Sequence, residues 1–259
     1  MKYFVADAFT DVVFRGNPAG VCLADEWPDR AVMQKIAAEN RLSETAFVIP
    51  RGGFFDLRWF TPVREVDLCG HATLGASFVV SHFVEPGIRE IEFHTVSGTL
   101  TVKRTGEHHY VLNFPARRAE PVNPPEHLAE ILGAEPLGTY RSRDLLVLLS
   151  AETQVRRLRP DLKRIAELKE GDGIIVTAAG GETDFVSRCF YPKLGIPEDP
   201  VTGSAHCALI PFWAERLEKT ELTAAQVSER GGRLSCRLCG DSVRIGGDAA
   251  LYLTGDIHL

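Results

Sequence analysis

A chain of 259 residues with 44% hydrophobic and 25% charged residues has enough apolar material for one large domain or two closely packed ones, which excludes a disordered polypeptide. Its formal net charge is −6, with lysine and arginine scattered rather than clustered, so neither a nucleic-acid footprint nor a basic membrane-binding surface is present. The six cysteines are sparse and lie mostly within apolar runs, where cysteine acts as a small buried hydrophobe; free thiols are expected.

The opening MKYFVADAFTD has early acidic residues and no apolar leader core, and no uninterrupted apolar stretch is long enough to span a bilayer, so a cytoplasmic protein is expected. Residues 2–10 read as a strand. The turn Gly16-Asn17-Pro18-Ala19-Gly20 leads to a second strand at 21–24. Asp29 to Asn40 has helical periodicity, with Val32, Ile36 and Ala37 on one face. Strands follow at about 45–49 and 54–60, and then a helix from Gly70 to about Val84 that is apolar on most sides, as suits a helix enclosed by sheet. Strands at about 90–95, 98–104 and 108–114 complete this half.

Pro115 to Pro125, rich in proline and polar residues, is the best linker in the chain. Beyond it come a helix at 125–132, a strand at 144–149, a helix at 160–169 and strands at 173–178 and 185–191. A helix then starts at Gly203, which Pro211 should kink or break. Late strands are expected near 225–230, 233–239, 242–246 and 250–258. Cys236 and Cys239 have metal-like spacing, but zinc needs two further ligands at short spacing, and the pair reads instead as two strand cysteines. The fold class is α+β, in two halves (1–117 and 118–259, with the strand at 249–259 able to return to the first), each a mostly antiparallel sheet around a central helix.

Two stretches repeat one another. Arg58-Trp59-Phe60-Thr61-Pro62 followed by Asp67-Leu68-Cys69-Gly70-His71-Ala72-Thr73 returns as Arg188-Cys189-Phe190-Tyr191-Pro192 followed by Glu198-Asp199-Pro200-Val201-Thr202-Gly203-Ser204-Ala205-His206. In each copy a strand passes through a proline loop to an acidic residue and then to a glycine that opens an apolar helix. Such helix starts expose unpaired backbone N–H groups and the positive end of the dipole, so two that converge between similar halves would receive a carboxylate or another anion on a small molecule. Arg58 and Arg188, at equivalent strand positions, are expected to pair with loop carboxylates.

Taken together, GNPAG, Ser43-Glu44-Thr45-Ala46-Phe47 (SETAF), DLCGHAT and EDPVTGSAH resemble the PhzF group of phenazine-biosynthesis-like isomerases, within the diaminopimelate epimerase-like fold, and the likeness runs nearly end to end. The resemblance implies two pseudo-symmetric barrel-like halves, a site between them, a homodimer, and no cofactor or metal. It places the acid/base glutamate at Glu44 and its partners at His71, Asp199 and Ser204. Chemistry fits these roles. A buried glutamate has its pKa raised toward working pH, as proton removal from carbon requires. His71 and Asp199 can orient an amine or hydroxyl or carry a second proton, and Gly70, Gly203 and Ser204 can hold a carboxylate. Plain structural roles compete: Glu44 as a solvated loop charge, His71 as a side chain bonded to the preceding loop, Asp199 as a capping residue.

Three functions follow, with a one-base isomerase using Glu44 favoured. A racemase, epimerase or dehydratase using Cys69 is the second. The epimerase branch places a cysteine before each helix-opening glycine, whereas here Cys69 precedes Gly70 but Thr202, too weak a base alone, precedes Gly203. The third is a non-catalytic small-molecule binder.

Overall fold

The computed structural model describes residues 1–259, which separate into two units: Met1–Asn113 with Gly246–Leu259, and Phe114–Ile245. No helix is long and apolar enough to cross a membrane.

In the first unit, β1 (Lys2–Ala8) pairs antiparallel with β2 (Asn17–Leu23), and β2 pairs parallel with β3 (Glu44–Pro50) across the helix α1 (Arg30–Asn40). β3 pairs antiparallel with β4 (Phe55–Phe60), which takes the short β5 (Glu65–Val66) antiparallel on one side and β6 (Glu90–Thr95) parallel. β6, β7 (Gly98–Arg104) and β8 (His109–Pro115) form an antiparallel meander. The last strand of the chain lies against β1, with Ala249–Asp256 opposite Lys2–Ala8, and the Ala249 N–H donates to the His108 carbonyl, so the strands curl into a barrel.

Helix α2 (Gly70–Val79) packs on β1, β2 and β3, and every residue from His71 to Val79 is buried. An all-round apolar helix finds its place only in such an interior. Gly75 sets the distance of closest approach, because a Cβ there would stand 3.2 Å from the Ala19 Cβ. The expected helix to Val84 ends as α-helix at Val79 and continues as one π-helical turn, Val80–Val84. Outside the sheet, α1 buries Met33, Ile36 and Ala37 against Phe47 and Phe60.

The second unit repeats the order of pairing senses. After β9 (Glu120–Pro121) and α3 (Leu128–Leu132), β10 (Gly138–Arg141) pairs antiparallel with β11 (Leu145–Leu148). α4 (Glu152–Arg157) and α5 (Leu162–Glu167) precede β12 (Ile174–Ala179), which is parallel to β11. β13 (Phe185–Tyr191) pairs antiparallel with β12 and with β14 (Ile196–Asp199), and parallel with β15 (Glu221–Gln226), which is antiparallel to β16 (Gly232–Cys239). The succession antiparallel, parallel, antiparallel, antiparallel, parallel, antiparallel is the one that runs from β1 to β7, and it is how the sequence duplication is expressed in topology. α3, α4 and α5 bury Leu128, Ile131, Val155 and Ile165 on the apolar face of β11 and β12.

Helix α6 (Gly203–Leu217) packs on β15 and β16 and continues through Pro211, so the proline does not mark a break. Proline at this position removes the donor that would bond the Cys207 carbonyl. The Arg117 N–H takes that place at 2.8 Å, so the helix loses an internal bond without leaving an orphaned acceptor. A second correction concerns the C-terminus: the strands expected at 242–246 and 250–258 are one strand, β17 (Ser242–Asp256). Gly246-Gly247 looks like a turn, but Gly247 is required for close approach, since a Cβ there would lie 2.4 Å from the Phe9 ring. Cys236 and Cys239 both lie on β16 as free thiols.

Candidate active site

The first cluster begins at a turn. Gly16 has φ +63°, and a Cβ on it would be 2.1 Å from the Ala8 carbonyl oxygen, so only glycine brings the chain back tightly enough to start β2 at Asn17 opposite Ala8. Asn17 is fully buried. Glu44 is the first residue of β3, in parallel register with Ala19, and its side chain keeps 14% exposure. Cys69 is the extended N-cap of α2, and His71 is the helix's second residue, 4% exposed.

These elements converge on the His71 ring. Asn17 Nδ2 lies 3.3 Å and Cys69 Sγ 3.5 Å from Nδ1. On the other side of the ring, Nε2 lies 3.3 Å from Glu44 Oε2, close enough for an ion pair though without the alignment of a hydrogen bond. Burial pushes His71 down to about 3, so the ring is neutral at physiological pH. Glu44, Cys69 and His71 offer ligand-type atoms within 4.8 Å of one another. They form a row through the imidazole, the thiol nearest one nitrogen and the carboxylate nearest the other.

In the second unit, Asp199 ends β14 opposite Cys189 of β13 and is 8% exposed. Thr202 is the extended N-cap of α6. Its hydroxyl donates to Asp199 Oδ2 at 2.5 Å and its N–H donates to Gln226 Oε1 at 2.9 Å. Gln226 Nε2 donates in turn to the Asp199 carbonyl at 2.7 Å and to Thr202 Oγ1 at 3.2 Å. His206 Nδ1 bonds the Thr202 carbonyl at 2.8 Å, and burial pushes this imidazole down to about 4. The Thr202 hydroxyl is therefore spent on orienting Asp199. Gly203 and the half-buried Ser204 open α6 as Gly70 and His71 open α2.

The duplicated arginines are bidentate clamps. Arg58 Nε and Nη2 reach Glu65 at 2.6 and 2.9 Å, and the guanidinium holds the Glu65 carboxyl below its usual range. Arg188 binds Glu198 at 2.6 and 2.8 Å, and also donates to the Val155 and Leu158 carbonyls at the end of α4. Each ties the proline loop of its copy to the strand before it.

The predicted residues thus fall into two groups: Glu44, Cys69, Gly70 and His71 in the first unit, and Asp199, Thr202, Gly203 and Ser204 in the second. Two participants escaped the sequence reading. Asn17 reads as a turn residue, although its place in GNPAG was itself a signal; Gln226 carries no local mark at all.

The chain is 48% identical over 259 residues to a Pseudomonas aeruginosa protein named as an uncharacterised isomerase, covering 100% of this chain and 99% of that one. The crystal structure of a phenazine biosynthesis protein of the PhzF family from Enterococcus faecalis superposes with a TM-score of 0.97 at 46% identity, over 100% of this chain and 99% of the other. A hydroxyproline epimerase from Agrobacterium vitis shares the fold alone, at TM-score 0.65 and 9% identity over 98% and 91% of the two chains. The phenazine biosynthesis-like protein family model matches residues 6–255, and with these relatives it establishes that the chain belongs to the PhzF family.

Proposed function

We propose that this protein is a cofactor-independent isomerase that moves a proton between carbons of a small carboxylate-bearing metabolite, with Glu44 removing and returning the proton. The observation that carries the reading is the placement of Glu44 Oε2 3.3 Å from Nε2 of a buried, neutral imidazole, at a position that keeps some exposure to an incoming molecule. A carboxylate beside a neutral ring nitrogen can accept a proton from carbon while His71 orients it or passes a second proton to substrate. Asp199, fixed by Thr202 and Gln226, is suited to accept from a substrate amine or hydroxyl. Gly203 and Ser204 supply backbone N–H groups and a hydroxyl of the kind that bind carboxylates at the start of a long helix. The isomerase name carried by the relatives agrees with this chemistry.

A second reading uses Cys69 as the base, favoured by its thiol lying 3.5 Å from His71 Nδ1. The two are separated by incubating wild type, Glu44→Gln and Cys69→Ala in D₂O with amino acids and hydroxylated cyclic carboxylates, following deuterium at carbon by NMR. Exchange lost in Glu44→Gln and kept in Cys69→Ala supports the first reading, the reverse pattern supports the second, and tight binding of a panel member without exchange in wild type overturns both.

A further inference from the structure

Three groups face the His71 ring: Asn17 from the start of β2, Cys69 from the N-cap of α2, and Glu44 from the start of β3. Two of them address Nδ1: the Asn17 amide N–H, which can only donate, and the Cys69 thiol, which can donate or accept. An amide nitrogen has no lone pair to offer. A proton on Nδ1 would therefore meet the Asn17 N–H at 3.3 Å donor to donor, in a fully buried place where water cannot relieve the clash. With Nδ1 acting as acceptor, the single proton of the neutral ring sits on Nε2, the nitrogen that lies 3.3 Å from Glu44 Oε2.

We propose that Asn17 is a positioning residue that fixes His71 in the tautomer protonated at Nε2, and so keeps the ring proton on the nitrogen beside the Glu44 carboxylate. The consequence for Glu44 is specific. Beside a protonated Nε2 the carboxylate meets a hydrogen carrying positive charge; beside a bare nitrogen it would meet a second lone pair, an arrangement less suited to a carboxylate that must serve as a base. A tight turn at Gly16, buried asparagine and histidine two residues into a helix thus act as one device. The kinetic part of this inference rests on the isomerase reading, whereas the tautomer itself does not.

The test is a long-range ¹H–¹⁵N correlation spectrum of the full chain labelled with ¹⁵N-histidine, with His71 assigned by comparison with His71→Gln. The expected result is an unprotonated, pyridine-type Nδ1 and a protonated, pyrrole-type Nε2 in the wild type, unchanged between pH 8 and pH 5. In Asn17→Asp the new carboxylate accepts rather than donates, so Nδ1 gains a proton, as imidazolium or as the opposite tautomer. Solvent exchange into substrate should then fall by about 10²–10⁴-fold, the range that proton-transfer groups contribute. A wild-type ring protonated at Nδ1, as an Asn17 presenting its oxygen would demand, overturns the proposal without any variant. So does an Asn17→Asp spectrum identical to wild type. If the spectra come out as expected but no protein exchanges substrate, the tautomer stands and the isomerase reading is what fails.

Discussion

Glu44 Oε2 and His71 Nε2 stand 3.3 Å apart, on the side of the imidazole opposite Cys69 and Asn17. A carboxylate at the head of a strand and a histidine at the head of a helix are thus joined by a ring whose other nitrogen is already engaged. The carboxylate lies at the ring nitrogen that Asn17 and Cys69 do not contact.

Glu44→Gln should reduce solvent exchange into substrate by about 10²-fold or more, because an amide cannot accept the carbon proton. Its stability should stay close to wild type, since the side chain is near the surface of its cluster and the substitution is isosteric. Urea unfolding midpoints compared with exchange rates check both halves. A large stability loss with retained exchange would reassign Glu44 to structure.

The buried imidazoles predict an acid-side loss of stability. His71 and His206 have folded values of about 3 and about 4, against 6.5 in the unfolded chain. Between those limits the unfolded state binds more protons, so stability falls as pH drops below 6.5, with no contribution from either ring above it. At pH 5 each ring should have removed about 2 kcal/mol. Urea titrations at pH 7.5 and pH 5 should show a smaller difference for His206→Gln than for wild type; an equal difference would remove His206 from the acid response.

Gln226→Ala should cost about 2–4 kcal/mol, because it strips partners from the buried Thr202 N–H and Asp199 carbonyl together. Thermal unfolding measures the cost. In the same variant Asp199 loses part of its support, so weaker substrate binding is expected with little change in the exchange rate at saturation.

Pro211→Ala should gain about 1 kcal/mol at most, well under the ~3 kcal/mol by which alanine exceeds proline as an interior helix residue. The Cys207 carbonyl that the new N–H would serve already accepts from Arg117 at 2.8 Å. A gain near the full propensity difference, read from urea midpoints, would mean that the Arg117 bond contributes nothing.

What the sequence revealed about the site was local. SETAF, DLCGHAT and EDPVTGSAH put each reactive side chain at the head of a strand or helix, and short-range geometry kept it there, so Glu44, Cys69 and His71 came together where a strand start and a helix start meet. Asn17 lies 54 residues from its histidine and Gln226 lies 27 from Asp199, and no periodicity or spacing marks such pairs. The misread elements have the same origin. Pro211 spoils a helix locally but is compensated from Arg117, and Gly246-Gly247 reads as a turn until Phe9 is found where a Cβ would have to be. Proline and glycine report what the chain can do nearby; whether it does so depends on partners that arrive from elsewhere.

The Thr202 hydroxyl, committed to Asp199 and braced by Gln226, bears on how this fold could change its trade. Converting an ancestor or descendant of this chain to paired-thiol chemistry at the two helix starts would ask for cysteine at 202, yet that single exchange would set a thiolate against the Asp199 carboxylate and withdraw a short hydrogen bond from it. The Gln226 bonds to the 202 N–H and the Asp199 carbonyl are to backbone and would survive the exchange, so Asp199 is the residue that would have to change with it. An exchange that needs a second substitution beside it meets a higher barrier than one amino-acid difference suggests.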